Sequence, residues 1–336
     1  MIVSRVLLML LFSQQLHEED PKLTQPIREK LWRQLDAFSD RVKADPEAQR
    51  RLLKQRMGYP PPMMKTQDSL RLEKTGEDSV ATYYRSYLTV GEGLEAYGLY
   101  IVPRKPLATR APLVISQHGG GGTPEMATYN GASNYHDQVR GAVEQGYIVY
   151  APHTVMHPFR DRDNGTAIPA DVRKALDARF RDAGTSLAAV EVYKISLALD
   201  ELLKRPEIDP QRVAMIGLSY GGYYSLYTAA VEPRIKVVVA SCSVRNEEPL
   251  PGAKMEGRLL DLAPADVAGL VAPRPLQIQT GVDDKSSPIE QARLAARRAQ
   301  SYYDKAGAAQ RFAFEEFQGG HEFRGNIVWP FLKKWL

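Results

Sequence analysis

The sequence predicts an α/β layered fold on a mainly parallel sheet, and three observations predict it. Short, continuous apolar runs at Leu113-Val114-Ile115, Val213-Ala214-Met215-Ile216 and Val237-Val238-Val239 suit strands covered on both faces. Helical stretches separate these runs, the alternation that helices layered on a sheet require. The length, 336 residues, allows one large domain plus a sizeable extension.

The first fifteen residues stand apart. Arg5 is followed by apolar Val6 to Phe12 and then by polar Ser13, Gln14 and Gln15, a pattern like a short export signal over residues 1–15. No Ala-x-Ala cleavage site follows, and the run is too short to cross a membrane as a helix. The expectation is a secreted or periplasmic protein; the alternative is a cytoplasmic chain with an ordinary terminus.

Residues 16–80 read as a helical arm and linker. Ile27, Leu31, Leu35 and Phe38 put one apolar stripe on a helix face, and Gly58-Tyr59-Pro60-Pro61-Pro62 breaks any helix. From residue 81 to 336 strands and helices alternate. Strands are expected over 83–88, 94–102, 113–117, 148–151, 213–217, 237–241, 276–280 and 312–316. Helices are expected over 135–145, 187–204, 222–230 and 289–306. Stretches 153–186 and 242–271 lack clear strands and are candidates for loops over a site.

Composition narrows the function. An apolar share of 43% and a charged share of 25% are ordinary for a globular protein. A balance of 44 basic against 40 acidic residues leaves +4, too little to imply a nucleic-acid partner. Arg293, Arg297 and Arg298 read as a solvated helix face. One cysteine, Cys242, excludes an internal disulfide and any cysteine-based zinc site. His153 and His157 stand four apart, but Pro152 and Pro158 bracket them in a loop-like segment, so lining a pocket suits them better than metal binding.

Chemistry concentrates at Gly217-Leu218-Ser219-Tyr220-Gly221-Gly222, between an expected strand and an expected helix. A serine on so sharp a turn projects its hydroxyl above the strand ends, and the helix N-terminus favours developing negative charge. The hydroxyl needs a base to take its proton, and the base needs a carboxylate to hold its tautomer. His321 is the only histidine after Ser219, on a loop between the last strand and the last helix. Asp283 and Asp284 both follow the preceding strand and both qualify as the acid; Asp261 and Asp266 are weaker candidates. An oxyanion hole needs the Tyr220 amide and a second amide from an earlier strand-end loop. Gln117-His118-Gly119-Gly120-Gly121-Gly122 supplies that loop, with Gly120 and Gly121 as the expected donors. A phosphate-binding role fails, because the spacing of phosphate loops is missing.

Together these motifs resemble the α/β-hydrolase superfamily over nearly all of residues 83–336. Ala272-Pro273-Arg274-Pro275, Gly281-x-x-Asp284 with Pro288, and Gly319-Gly320-His321-Glu322-Phe323 are similar to the dienelactone-hydrolase-like and acetyl-xylan-esterase-like ester hydrolases. In those patterns the acid stands three after the glycine, which selects Asp284. The Arg-Gly-Gln motif of one carbohydrate-esterase group is absent here. The elbow Gly-Leu-Ser219-Tyr-Gly-Gly-Tyr also resembles the prolyl oligopeptidase family, although the roughly 80 residues before the catalytic part are too few for a β-propeller. The resemblance implies a serine ester hydrolase acting on a small-molecule or carbohydrate ester without a cofactor or stable membrane insertion. A serine peptidase and a non-catalytic binding protein on the same fold are the alternatives.

Overall fold

A computed structural model describes residues 21–64, 69–154, 170–245 and 263–336. The expected export signal, His157 and Asp261 lie outside these residues, as does half of the strand-free stretches. Among the described residues no helix is long and apolar enough to cross a membrane.

The described residues fall into two compact units, divided between Gln49 and Arg50. The first contains helix α1 (Pro21–Ala44), on which Ile27 and Leu31 of the expected stripe are both exposed. Helix α2 (Pro46–Met57) follows in the chain.

The second unit is built on one nine-stranded sheet in the order β1-β2-β3-β5-β4-β6-β7-β8-β9. Its antiparallel flank is β1 (Leu70–Glu77), β2 (Ala81–Gly91) and β3 (Leu94–Pro103). β3 also runs antiparallel to β5 (Ile148–Pro152), which pairs in parallel with β4 (Ala111–Gln117). The parallel run continues from β4 through β6 (Ile208–Leu218), β7 (Val237–Ser241) and β8 (Leu276–Gly281) to β9 (Phe312–Phe317). Every residue of β4, β5, β7 and β8 is buried, as strands covered on both faces must be, whereas β2 alternates between buried and half-buried positions.

Two hydrophobic cores lie on the two faces. Leu113, Ile115, Val213, Met215, Val238 and Ile278 point into one, beside helices α6 (Leu187–Leu202), α7 (Tyr220–Val231) and α9 (Ile289–Lys305). Val114, Ala214, Ile216 and Val239, their alternates along the strands, point into the other, beside α4 (Gln138–Glu144) and α10 (Gly325–Trp335). Short helices α3 (Pro124–Tyr129) and α8 (Pro264–Gly269), the helix α5 (Ala170–Asp182) and a 3-10 turn at Ala309–Arg311 complete the described elements. In α9 the buried residues are Ala292, Ala295, Ala296, Ala299 and Tyr303, a stripe at helical spacing.

Two readings from sequence need correction. Leu70–Glu77, assigned to the linker, is an edge strand; exposed polar residues obscure its alternation. The segment after α2 is no open linker. Met64 is buried, worth about 1.5–3 kcal/mol of apolar burial, and the Tyr59 hydroxyl lies 3.1 Å from that of Ser196. The arginine face is solvated as expected, with Arg298 exposed while its guanidinium also grips Asp266 at 2.7 Å through two nitrogens. Arg293 pairs with Glu316 at 2.6 Å, while Arg297 is exposed.

Candidate active site

Ser219 sits between the end of β6 and the first residue of α7 with φ 59° and ψ −119°, a conformation L-residues rarely adopt. Holding it there costs about 1–3 kcal/mol, which the surrounding packing must offset. Two glycines make the turn feasible. A Cβ on Gly221 would lie 2.0 Å from the Gln117 carbonyl, and one on Gly217 would lie 2.2 Å from the Gly221 backbone. The first turn of α7 can therefore press against the ends of β4 and β6 only with glycine at both positions. The Ser219 amide donates to the Ser241 carbonyl at 2.8 Å, tying the turn to β7.

His321 and Asp284 come together above the same strand ends. The His321 Nδ1 lies 2.8 Å from the Asp284 Oδ2, and the Asp284 side chain is fully buried. The other carboxylate oxygen accepts from the amides of Ser286 at 2.7 Å and Ser287 at 3.0 Å. Burial alone would raise the Asp284 pKa. The hydrogen bond and charge of His321, the Ser287 amide and the Cys242 thiol outweigh it and hold the carboxyl below its ordinary value. Asp283, the rival acid, is exposed. Asp266 is engaged with Arg298 and with the Tyr302 hydroxyl at 2.9 Å.

Among the described residues the Ser219 hydroxyl makes no hydrogen bond to His321. Such bonds are often long before substrate binds and tighten afterwards. A cysteine closes the group from behind. Cys242 follows the Ser241 that bonds to Ser219, and ligand atoms of Cys242, Asp284 and His321 all lie within 4.8 Å of one another. That is the metal-capable cluster found among the described residues, but His321 Nδ1 and Asp284 Oδ2 are already bonded to each other.

The glycine loop lies against Ser219. A Cβ on Gly119 would stand 3.1 Å from the Ser219 Cβ. Gly119 to Gly122 form a tight turn closed by the Gly122 amide on the Gly119 carbonyl at 3.2 Å, with Gly121 at φ 74°. A positive φ at the third position is what a type II turn asks for, and glycine supplies it without strain. The Gly119 amide is used by the Tyr135 hydroxyl at 3.0 Å. The backbone amides of Gly120 and Gly121 make no hydrogen bond among the described residues.

Several contributors were not visible in the sequence. Asn134 and His136 clamp the histidine loop: Asn134 Nδ2 donates to the His321 carbonyl at 3.0 Å, and the Phe323 amide donates to the Asn134 carbonyl at 2.9 Å. His136 pairs with Glu322 at 2.7 Å. His153 does reach this region. Its Nδ1 lies 3.0 Å from His118 Nε2, in a pair that no sequence spacing announces.

Residues 170–247 match the model of the prolyl oligopeptidase family. YtaP of Bacillus subtilis (strain 168), provisionally described as a hydrolase, is 27% identical over 295 residues, covering 80% of this chain and 92% of that one. In structure, a methylesterase, BT1017, superposes with TM-score 0.68 at 16% identity over 87% of this chain and 64% of that one. Acetyl xylan esterase 1 from Thermoanaerobacterium sp. JW/SL YS485 superposes with TM-score 0.59 at 19% identity over 84% of this chain and 93% of that one. At such identities the superpositions establish the fold, which is that of the α/β-hydrolases. With that fold, the match to the prolyl oligopeptidase family and the likeness to a hydrolase support a serine hydrolase.

Proposed function

We propose that the chain is a carboxylic ester hydrolase working by acyl transfer, with Ser219 as nucleophile, His321 as general base and Asp284 as the carboxylate that orients the imidazole. The observation that carries the reading is the 2.8 Å contact between His321 Nδ1 and buried Asp284, above strands that also present Ser219 on its strained turn. The carboxylate fixes the proton on Nδ1 and leaves Nε2 to take the serine proton. Attack on the ester carbonyl then develops an oxyanion, which the amides of Tyr220 and of Gly120 or Gly121 receive. His321 returns the proton to the leaving alcohol. Water deacylates the enzyme by the same route.

The substrate class we infer is a short-acyl or carbohydrate ester. A methylesterase and an acetyl xylan esterase among the structural neighbours support it, and so does the pattern around Asp284 and His321. The match of residues 170–247 to the prolyl oligopeptidase family favours a second reading, a serine peptidase.

A p-nitrophenyl ester series from acetate to decanoate, acetylated xylo-oligosaccharides, and prolyl and alanyl p-nitroanilides separate the two. Ester turnover favouring short chains, reduced roughly 10^3-fold or more in Ser219→Ala, is the expected result. Anilide cleavage with little ester preference would install the peptidase instead, and full ester turnover in Ser219→Ala would remove Ser219 from the chemistry.

A further inference from the structure

His118 opens the glycine loop, and its ring is buried with both nitrogens engaged. Nδ1 lies 2.8 Å from the Gly119 carbonyl, which can only accept, so Nδ1 carries a proton. Nε2 lies 3.2 Å from the Thr154 amide, which can only donate, so Nε2 carries none. The His153 Nδ1, 3.0 Å from the same Nε2, must then be a donor too. One tautomer satisfies all three contacts. Two donors converging on Nε2 oppose its protonation and keep the His118 proton on the side of Gly119.

The Gly119 carbonyl belongs to the same planar peptide as the Gly120 amide, and in a trans peptide the two point in opposite directions. Whatever fixes that carbonyl fixes the amide. Here the carbonyl is held by His118 on one side and by the Gly122 amide at 3.2 Å on the other. His153 is itself anchored. Its carbonyl accepts from Lys194 Nζ at 2.7 Å, and Lys194, fully buried in α6, is ion-paired with buried Glu191.

We infer that His153 is a positioning residue for the oxyanion hole: as the second donor on His118 Nε2, beside the Thr154 amide, it holds the His118 ring in the tautomer and orientation that fix the Gly119–Gly120 peptide, with the Lys194–Glu191 pair anchoring it from α6. The inference rests on the proposed role of the Gly120 amide. It adds a direction of control, from the end of β5 to the reacting carbonyl, without contact between His153 and substrate.

The test uses the full chain with p-nitrophenyl acetate. Wild type against Ser219→Ala first establishes serine-dependent turnover, so a failure of that reading shows there and not in the histidine variants. His153→Phe should lower kcat roughly 10–100-fold, less than loss of a whole oxyanion donor. KM should stay within about 2-fold and Tm should be unchanged, whereas a general structural defect would move them as well. Inactivation by diethyl p-nitrophenyl phosphate, whose transition state uses the same amides, should slow in parallel. His153→Asn, which puts an amide donor where Nδ1–H stood, should recover most of kcat. In a His118→Asn background the Asn amide donates to Gly119 with no tautomer to fix, so adding His153→Phe should cost little there. If His153→Phe does not fold, His118→Asn against His118→Leu reads the same carbonyl contact. Equal impairment in His153→Asn and His153→Phe, or additive losses in the double variant, would overturn the inference.

Discussion

The guanidinium of Arg274 donates to the Ala229 carbonyl at 2.6 Å, in the last turn of the helix that begins just after Ser219. It also donates to the carbonyls of Ile235 at 2.8 Å and Glu232 at 3.2 Å. The last carbonyls of a helix have no partner within it and carry the negative end of its dipole. One planar cation with several donors answers both needs, and its own carbonyl is held by the Tyr303 hydroxyl at 2.7 Å. Arg274→Leu should therefore cost about 3 kcal/mol or more, since each partly buried carbonyl left unmet costs about 1–3. The urea midpoint measures it, and KM of the folded fraction should stay within about 2-fold. Arg274→Lys should restore only part, because an ammonium cannot span three acceptors as the fork does. A midpoint unchanged in Arg274→Leu would show that the helix end needs no such cap.

Asp283 and Asp284 stand side by side in the chain and in opposite environments. Asp284→Asn keeps the volume but offers His321 an amide that can favour the wrong tautomer, an exchange that lowers kcat about 10^4-fold where the histidine is the base. Asp283→Asn, on an exposed side chain, should leave kcat within about 2-fold. Steady-state rates on one short ester suffice. Loss in Asp283→Asn with little change in Asp284→Asn would reverse the assignment.

The lowered pKa of Asp284 also bears on acid stability. Folding makes this carboxyl a weaker base than in the unfolded chain, where it titrates near its ordinary value of about 3.9. The resulting stabilisation is complete above the unfolded value, declines as pH falls through the folded value, and is absent below it. The stability gap between wild type and Asp284→Asn should thus be widest near neutrality and close as pH falls below about 4. Urea midpoints at several pH values read the slope, in which the fixed cost of the Asn amide cancels. A gap that widens toward acid would mean that burial dominates and the carboxyl titrates high.

The sequence was most legible where one local rule decides the outcome. The apolar runs of β4, β6 and β7 allowed only buried strands, and Gly217-x-Ser219-x-Gly221 between strand and helix admitted few geometries. Leu70–Glu77 was missed because an edge strand has one face in water and its register depends on β2, not on its own pattern. Asp284 and Asp283 could not be separated from the residues alone, since burial of one and exposure of the other follow from how the loop closes against His321. His118 and His153 are thirty-five positions apart, and only the adjacency of β4 and β5 brings their rings together. Arg274 was visible as part of a motif, yet its work at the end of α7 depends on a contact 45 residues away.

Cys242 offers a reagent-based check on the packing behind the site. Its thiol is fully buried at φ 51°, 3.5 Å from the Glu322 carbonyl, and burial together with the nearby Asp284 charge pushes its pKa well above the ordinary thiol range. The reactive form is the thiolate, so both access and ionisation are suppressed. Native protein should consume almost no Ellman reagent at pH 8, and one equivalent of thiol should appear only with global unfolding in denaturant, since the chain has a single cysteine. The rate of modification should then follow the unfolding equilibrium across a urea series. Rapid stoichiometric reaction in the absence of denaturant, with ester turnover retained, would mean that the layer formed by Cys242, Asp284 and His321 is open to solvent. Asp284 would then lose the burial on which its distinction from Asp283 depends.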